Sequence, residues 1–403
     1  MEELLIFAAL LVFAFGLVSA VAEKSPITAP MVFVAAGILA SPLGLDLFEA
    51  NTDSEGIQLI AEITLILILF TDASTIDLQR LKTDYKVPLR LLAIGLPLTM
   101  ALGMLVAVPL FKGVSLWSIA LMAFILSPTD AALGQAVVTS KKVPDKIRDA
   151  IGVESGLNDG IALPPIMACL AAVGAAAGTQ LDFGYWGHFA LKQVAYGPIA
   201  GSIVGWVGGV LIDRSARRRW MNPVFQRLAA IALAILCYAL AETLGGNGFI
   251  AAFFGGLMLG AQTPAVRERI QEFGEAEGQL LSLIVFLIFG LAMVPAICKF
   301  WDASAVVYAL LSLTVIRMLP VALCLLGTKM KLPTVGFIGW FGPRGIASIL
   351  YALILVGQVG ATGHERVLSV IGLTVLFSVF IHGLSAVPLS TLYGRYANRH
   401  NFS

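Results

Sequence analysis

The sequence predicts an all-α polytopic membrane protein with 13 transmembrane helices. We expect two inverted six-helix repeats in which helices 5 and 12 are discontinuous and cross. Three observations predict this architecture. They are the length of the apolar blocks, the alternation of basic and non-basic connections, and a similar order of spans in the two halves of the chain.

The apolar blocks determine the class of protein. The chain has 403 residues, of which 58% are hydrophobic and only 13% are charged, and its mean hydropathy is +0.90. A soluble protein has about 25% charged residues. The apolar residues lie in blocks of roughly 18–25, the length that crosses about 30 Å of hydrocarbon as a helix. The composition therefore excludes a soluble protein, and we expect a lipid bilayer as partner. We expect no nucleic acid as partner, because the basic residues lie in short connections rather than on one face.

Hydropathy places the predicted spans at 4–20, 27–44, 57–74, 88–111, 116–139, 148–174, 190–212, 224–242, 247–262, 279–297, 304–327, 333–357 and 366–390. Every second connection is basic, with Lys24; Arg80, Lys82, Lys86 and Arg90; Lys141, Lys142, Lys146 and Arg148; Arg214, Arg217, Arg218 and Arg219; Arg267 and Arg269; Lys329 and Lys331; Arg395 and Arg399. Because cytoplasmic connections are the basic ones, this pattern predicts an N-terminus outside and a C-terminus in the cytoplasm.

The two halves of the chain have the same order of spans. Spans 1 to 6 match spans 8 to 13 in length and order, and Pro128 in span 5 corresponds to Pro343 in span 12. Since a single linking span starts the second half from the opposite face, the repeats are inverted, as is typical of secondary transporters. The predicted domains are a first repeat over 1–174, a linking helix with a basic cytoplasmic loop over 175–223, and a second repeat over 224–403.

Spans 5 and 12 each contain a proline in mid-span. The sequences are Ser127-Pro-Thr-Asp-Ala131 and Phe341-Gly-Pro-Arg-Gly345. Proline removes a backbone donor and clashes with the preceding turn, so carbonyls and amides are freed at membrane depth. One predicted break carries Asp130 and the other carries Arg344. We expect this pair to satisfy the half-helix ends, with a mainly structural and electrostatic role.

The ionisable residues predicted to lie deep in spans are Asp72, Asp130, Glu154, Asp159, Arg317 and Arg344. Placing one such charged side chain in the middle of a membrane span costs at least about 2.5 kcal/mol. A residue of this kind marks an ion or proton pathway unless it has a partner. Glu154 lies five residues before Asp159, so the two point to different sides of one helix. Arg317, the only charged residue deep in span 11, is therefore the predicted partner of Glu154. His382 in span 13 is expected only to bond a neighbouring backbone group.

Asp159 is then the acid that we expect to bind the transported ion. A desolvated carboxylate holds a proton more readily than one in water, as a proton carrier requires. A cation such as Na⁺ prefers oxygen ligands, which Asp130, Thr129 and Ser155 could supply around Asp159. Asn158 is expected to orient side chains or bridge helices. Competition between a proton and a cation at one acid, combined with alternating access, is sufficient for exchange.

These residues resemble a known family. Glu154-Ser155 followed by Asn158-Asp159, with Ser-Pro-Thr-Asp in the preceding span, is similar to the monovalent cation:proton antiporter family of sodium/proton exchangers. Phe341–Gly345 and Val379-Phe-Ile-His-Gly383 are similar to its late signatures. The resemblance covers nearly the whole chain.

The resemblance implies a site and an activity. Asp159 would bind the ion or proton, Thr129 and Ser155 would contribute oxygens to the cation, and Glu154 would pair with Arg317. The Asn-Asp type resembles prokaryotic electroneutral exchangers of one cation per proton. The resemblance also implies a homodimer in the plasma membrane and a role in pH homeostasis. It implies no cofactor, only the transported cation and H⁺ as substrates. Asp72 stands where relatives often have a glutamate, so its role as an accessory acid is open.

Other classes of protein remain as alternatives. Crossing half-helices also line pores, so a cation or proton channel is the runner-up. An intramembrane aspartyl protease could use Asp130 and Asp159, but inverted repeats and Arg344 have no purpose in such an enzyme. A substrate-binding or sensor protein is a further alternative. We therefore expect a transporter rather than an enzyme.

Overall fold

The computed structural model describes residues 2–22, 25–76, 85–176, 183–263 and 267–399, and these ranges contain helices and connections but no strand. Lys24, Arg80 and Lys82 of the predicted basic connections, and residues 177–182 of the predicted linking segment, lie outside the described residues. The helices of the first half are α1 Glu2–Ala22, α2 Ala29–Ala40, α3 Glu55–Thr75, α4 Lys86–Arg90, α5 Leu96–Leu110, α6 Leu116–Ile125, α7 Ala131–Val138, α8 Asp145–Ala176 and α9 Phe183–Arg217. Those of the second half are α10 Pro223–Thr243, α11 Gly248–Gln262, α12 Arg267–Ile288, α13 Val294–Ile297, α14 Ala303–Leu313, α15 Val315–Cys324, α16 Leu332–Trp340, α17 Ile346–Val359 and α18 Glu365–Arg399.

The length and composition of these helices match a bilayer. Nine helical segments of the described chain are long and apolar enough to cross a membrane, and four shorter apolar helices accompany them. Helix α1 buries none of its side chains although nearly all are apolar, as expected where lipid is the solvent. A helix satisfies its own backbone groups, which hydrocarbon does not. The prediction of a helical integral membrane protein is confirmed.

The first of two compact units comprises residues 1–59, 86–155 and 282–403. Its longest helix, α18, packs along α14 and contributes to a hydrophobic cluster with α15 and α16. In that cluster Phe337 stacks on Tyr393, with ring centroids 4.1 Å apart and an interplanar angle of 16°. Stacked rings of this size contribute more than their buried area alone. The cluster therefore anchors α16, the helix that leads into the second proline motif.

The second unit comprises residues 60–85 and 156–281. Its main contact is between α9 and α11, where Gly201 and Gly205 face Ala251 and Gly255. A Cβ at Gly205 would lie 2.2 Å from the carbonyl oxygen of Gly255, so the two backbones are in direct contact. Small residues allow this close approach in membranes, where van der Waals packing drives helix association.

Several predicted spans are less regular than expected. Span 11 divides at Thr314, whose hydroxyl donates to Leu310 O at 2.6 Å and so competes with the helical pattern. Spans 4 and 10 contain π-helical turns at Leu91–Gly95 and Phe289–Met293. A proline follows each turn within two residues, and its missing amide interrupts the regular hydrogen bonds.

Candidate functional site

Both proline motifs interrupt a helix at a buried position. Helix α6 ends at Ile125 and α7 begins at Ala131, while α16 ends at Trp340 and α17 begins at Ile346. All residues of 126–130 and 341–345 are buried. Polar backbone groups that are buried without a partner cost free energy, so the freed carbonyls and amides of both breaks need partners.

Each break supplies a charge that caps the other. The Nη1 group of Arg344 donates to the carbonyl oxygens of Ser127 at 2.8 Å and Pro128 at 3.0 Å, just beyond the C-terminus of α6. The Asp130 carboxylate accepts from the amide of Leu133 at 3.1 Å and from the amide of Ile346. A cation at a helix C-terminus and an anion at a helix N-terminus are both favourable. The charges thus stabilise half-helix ends.

The main chains of the breaks also contact each other directly. The Asp130 amide donates to Pro343 O at 2.9 Å. A Cβ at Gly345 would lie 2.2 Å from Asp130 Oδ2, and one at Gly342 would lie 2.3 Å from Arg317 Nε. Real Cβ atoms do not approach other atoms so closely, so both glycines are required by their neighbours. The Phe-Gly-Pro-Arg-Gly sequence therefore leaves space for two charged side chains.

Beside the breaks lies a buried ion pair. Arg317 donates through Nη1 to Glu154 Oε1 at 2.6 Å and through Nη2 to Glu154 Oε2 at 2.7 Å. The two side chains are 1% and 2% exposed. Arg344 interacts electrostatically with both members of the pair. The bidentate geometry fixes α15, which carries Arg317, against the first part of α8.

Two hydroxyl groups meet next to this pair. Thr129 Oγ1 lies 3.1 Å from Ser155 Oγ, and the residues are 1% and 3% exposed. Thr129 belongs to the first break and Ser155 follows Glu154 on α8. Hydroxyl oxygens of this kind can bind a hard cation or accept a hydrogen bond from a water molecule.

The remaining predicted residues belong to the second unit. Asn158 is 1% exposed and Asp159 is partly buried, both on α8. Ser155 and Asp159 are four residues apart, so they project from the same face of that helix. Asp72 lies in the last turn of α3, three residues before the helix ends at Thr75, and is partly buried.

Comparison with known proteins gives the family. The model of the family described as sodium/hydrogen exchanger, transmembrane, matches residues 8–392. The chain belongs to the sodium/hydrogen exchanger family. This membership confirms the resemblance seen in the sequence. Exchangers are transporters rather than enzymes.

Individual relatives of this chain are distant in sequence. It is 29% identical to the K⁺/H⁺ antiporter NhaP of Alkalimonas amylolytica, over 91% of this chain and 63% of that protein. It is 24% identical to the K⁺/H⁺ antiporter NhaP2 of Shewanella sp. strain ANA-3, over 96% of this chain and 66% of that protein. The chain thus spans slightly less than two thirds of the length of these relatives.

A solved structure has the same fold. The sodium proton antiporter MjNhaP1 from Methanocaldococcus jannaschii, solved at pH 8, superposes with a TM-score of 0.78 over 99% of each chain, at 20% identity. The all-helical fold of this chain is therefore the fold of that solved protein.

Sequence reasoning missed two serines that serve the breaks. Ser348 Oγ donates to Ile125 O at 2.8 Å, and Ser378 Oγ accepts from the amide of Arg344 at 2.7 Å. His382 Nδ1 lies 3.2 Å from Ser378 O, and its bond to a neighbouring backbone group is as predicted. The one available signal was the spacing of Ser378 and His382, which puts two polar residues on one face of an apolar span.

Proposed function

We propose that this protein is a secondary active antiporter that exchanges a monovalent cation for protons across the membrane. The observation that carries the proposal is the meeting of the Thr129 and Ser155 hydroxyls at 3.1 Å, at a buried helix break capped by opposite charges. Ser155 is one helical turn before Asp159 on α8. The names of its relatives, K⁺/H⁺ and Na⁺/H⁺ antiporters, support the same activity.

In the proposed mechanism, Asp159 is the carboxylate for which cation and proton compete. Thr129 and Ser155 contribute oxygen ligands to the cation, and Asn158 orients the side chains around it. Both carboxylate oxygens of Asp130 already accept backbone amides, which supports a scaffold role for Asp130. The Glu154–Arg317 pair and Arg344 keep the surrounding charges balanced.

The proposed architecture is that of alternating access between two inverted repeats. We propose thirteen spans, repeats over 1–174 and 224–403, and a linking segment over 175–223. Every predicted span overlaps a described helix, which supports the number of spans. The two proline breaks are the proposed crossing point of spans 5 and 12. We further propose an external N-terminus, a cytoplasmic C-terminus, a homodimer and a prokaryotic plasma membrane, with a role in pH homeostasis.

We propose exchange of one cation per proton, with Na⁺ as the expected substrate and Li⁺ or K⁺ as alternatives. The relatives carry both K⁺/H⁺ and Na⁺/H⁺ names. Hydroxyl and carboxylate oxygens bind any of these ions, so the size of the site decides among them. Titration of everted vesicles with each chloride salt, at several pH values, measures the choice directly. A second measurement at an imposed membrane potential tests electroneutrality, because an electroneutral exchange rate does not respond to potential.

The decisive experiment is Asp159→Asn in proteoliposomes. The substitution keeps the volume of the side chain but removes the charge, so we expect exchange to be lost while the protein remains folded. Asp145→Asn, at an 84% exposed position that begins the same helix, is the matched control and should transport normally. Retained pH-dependent exchange in Asp159→Asn contradicts the mechanism.

Two further measurements separate this proposal from its alternatives. Proton flux that persists without any counter-cation indicates a channel, whereas strict dependence on Na⁺, Li⁺ or K⁺ indicates exchange. Asp72→Asn in the same assay tests whether Asp72 is an accessory acid, since an accessory role changes the apparent KM for the cation and no role leaves it unchanged.

A further inference from the structure

A line of polar side chains on α18 contacts both ends of the break in span 12. It consists of Ser378, His382 and Ser385, and we refer to these three residues as the α18 polar stripe. Their spacing of four and three residues places them on one helix face. The stripe lies on a helix that is otherwise largely apolar, and the proposed exchange mechanism does not use it.

One end of the stripe holds the main chain at Arg344. Ser378 Oγ accepts the amide of Arg344 at 2.7 Å and lies 3.1 Å from His382 Nδ1. Ser378, His382 and Arg344 are all at most 1% exposed. Because water does not reach this position, the Arg344 amide depends on Ser378 for an acceptor.

The other end of the stripe holds Trp340, the last residue of α16. The indole Nε1 of Trp340 donates to Ser385 Oγ at 3.0 Å, and Ser385 Oγ in turn donates to His382 O at 3.3 Å. The His382 ring lies 5.2 Å from the Trp340 ring. The stripe therefore holds Trp340, just before the break at 341–345, and Arg344, within it.

The conformation of the break at 341–345 affects the position of the backbone in the break at 126–130. The Arg344 guanidinium donates to the carbonyls of Ser127 and Pro128, and the Asp130 amide donates to Pro343 O. These contacts flank Thr129 on both sides in the chain. A shift of Arg344 thus moves the backbone that carries the Thr129 hydroxyl.

We propose that the α18 polar stripe is a positioning device for the cation site. It fixes the conformation of residues 341–345, so that the hydrogen bonds between the two breaks hold Thr129 in place. The inference rests on the proposed function, because it assigns Thr129 to the cation. A merely structural stripe would affect stability but leave the apparent KM for the cation unchanged. A positioning stripe changes that KM, because it changes the geometry of a ligand.

The experiment compares four variants in proteoliposomes. Ser378→Ala removes the acceptor for Arg344, and His382→Phe keeps a ring against Trp340 but removes the polar contact to Ser378. Loss of one such hydrogen bond corresponds to about a three- to tenfold higher apparent KM for the cation. His382→Asn places an amide near the position of Nδ1 and should stay within about twofold of the wild type. Ser369→Ala is the matched control, because Ser369 is a fully buried serine of α18 whose Oγ has no hydrogen-bond partner among the described residues.

Hydrogen exchange of the peptide that contains Arg344 provides a readout that does not depend on transport. We expect faster amide exchange in Ser378→Ala than in the wild type or Ser369→Ala, because the Arg344 amide loses its acceptor. A raised KM together with faster exchange supports the inference. A lower melting temperature with unchanged KM in Ser378→Ala and His382→Phe overturns it, as does unchanged amide exchange. If the wild type itself transports no cation, the proposed function fails, and amide exchange alone then decides whether the stripe positions the break.

Discussion

The Glu154–Arg317 pair offers the sharpest test of the energetics inside the first unit. The perturbation is a double-mutant cycle of Glu154→Ala, Arg317→Ala and the combined variant. In each single variant, one charge stays at a position with 2% exposure or less and loses both of its short hydrogen bonds. In the combined variant no charge is left without its partner.

The expected magnitudes follow from burial. Removing one member of a buried pair costs about 3–5 kcal/mol, because the remaining charge is not solvated. The double variant removes both desolvated charges, so its cost should be near that of one single variant rather than their sum. The coupling free energy is then about 3 kcal/mol, at the upper end for residues in contact.

Equilibrium unfolding in mixed micelles measures these free energies, with thermal unfolding as a second readout. The matched control is Asp145–Arg148 at the beginning of the same helix, where Asp145 is 84% exposed. A surface pair of this kind contributes less than about 1 kcal/mol. Losses at Glu154 and Arg317 that add within about 0.5 kcal/mol would refute the reasoning.

Two further substitutions test other parts of the molecule. Gly345→Ala puts a Cβ 2.2 Å from Asp130 Oδ2, so we expect a loss of about 1–3 kcal/mol in unfolding free energy and impaired transport. The control is Gly336→Ala, where a Cβ meets no atom within 4 Å. Equal stability of the two variants contradicts the close contact. Burial raises the pKa of Asp302, but hydrogen bonds from Ala305 and Ser304 and the charge of Arg366 outweigh it and hold that pKa below its ordinary value. The stabilisation is therefore present above the unfolded pKa of about 3.9 and is lost as pH falls through the folded value. Because Asp302 is 45% exposed, we expect Asp302→Asn to cost less than about 1 kcal/mol at pH 7, and a difference in melting temperature that does not shrink towards pH 3 contradicts the assignment.

Much of the candidate site is readable in the sequence because charge is costly in lipid. Glu154 and Arg317 stand out as one acid and one base in apolar spans, and their contact at 2.6 Å is what that cost leads one to expect. Pro128 and Pro343 mark the breaks because proline has no amide to donate and clashes with the preceding turn. Proline alone does not decide a break, since α8 continues through Pro164 and Pro165. Ser378 and Ser348 carry no such signal, because a serine in a membrane helix can also bond its own preceding turn.

The sequence by itself determined the class of the protein, the approximate position of its spans and the identity of its buried charges. These are properties of composition and local order, governed by the cost of polar groups in hydrocarbon. Only the tertiary structure decided that Arg344 caps Ser127 and Pro128, that Asp130 caps the helix beginning at Ile346, and that Gly345 makes room for it. Those contacts join residues more than two hundred positions apart, so they depend on how the two breaks are placed in space and on no pattern within either one.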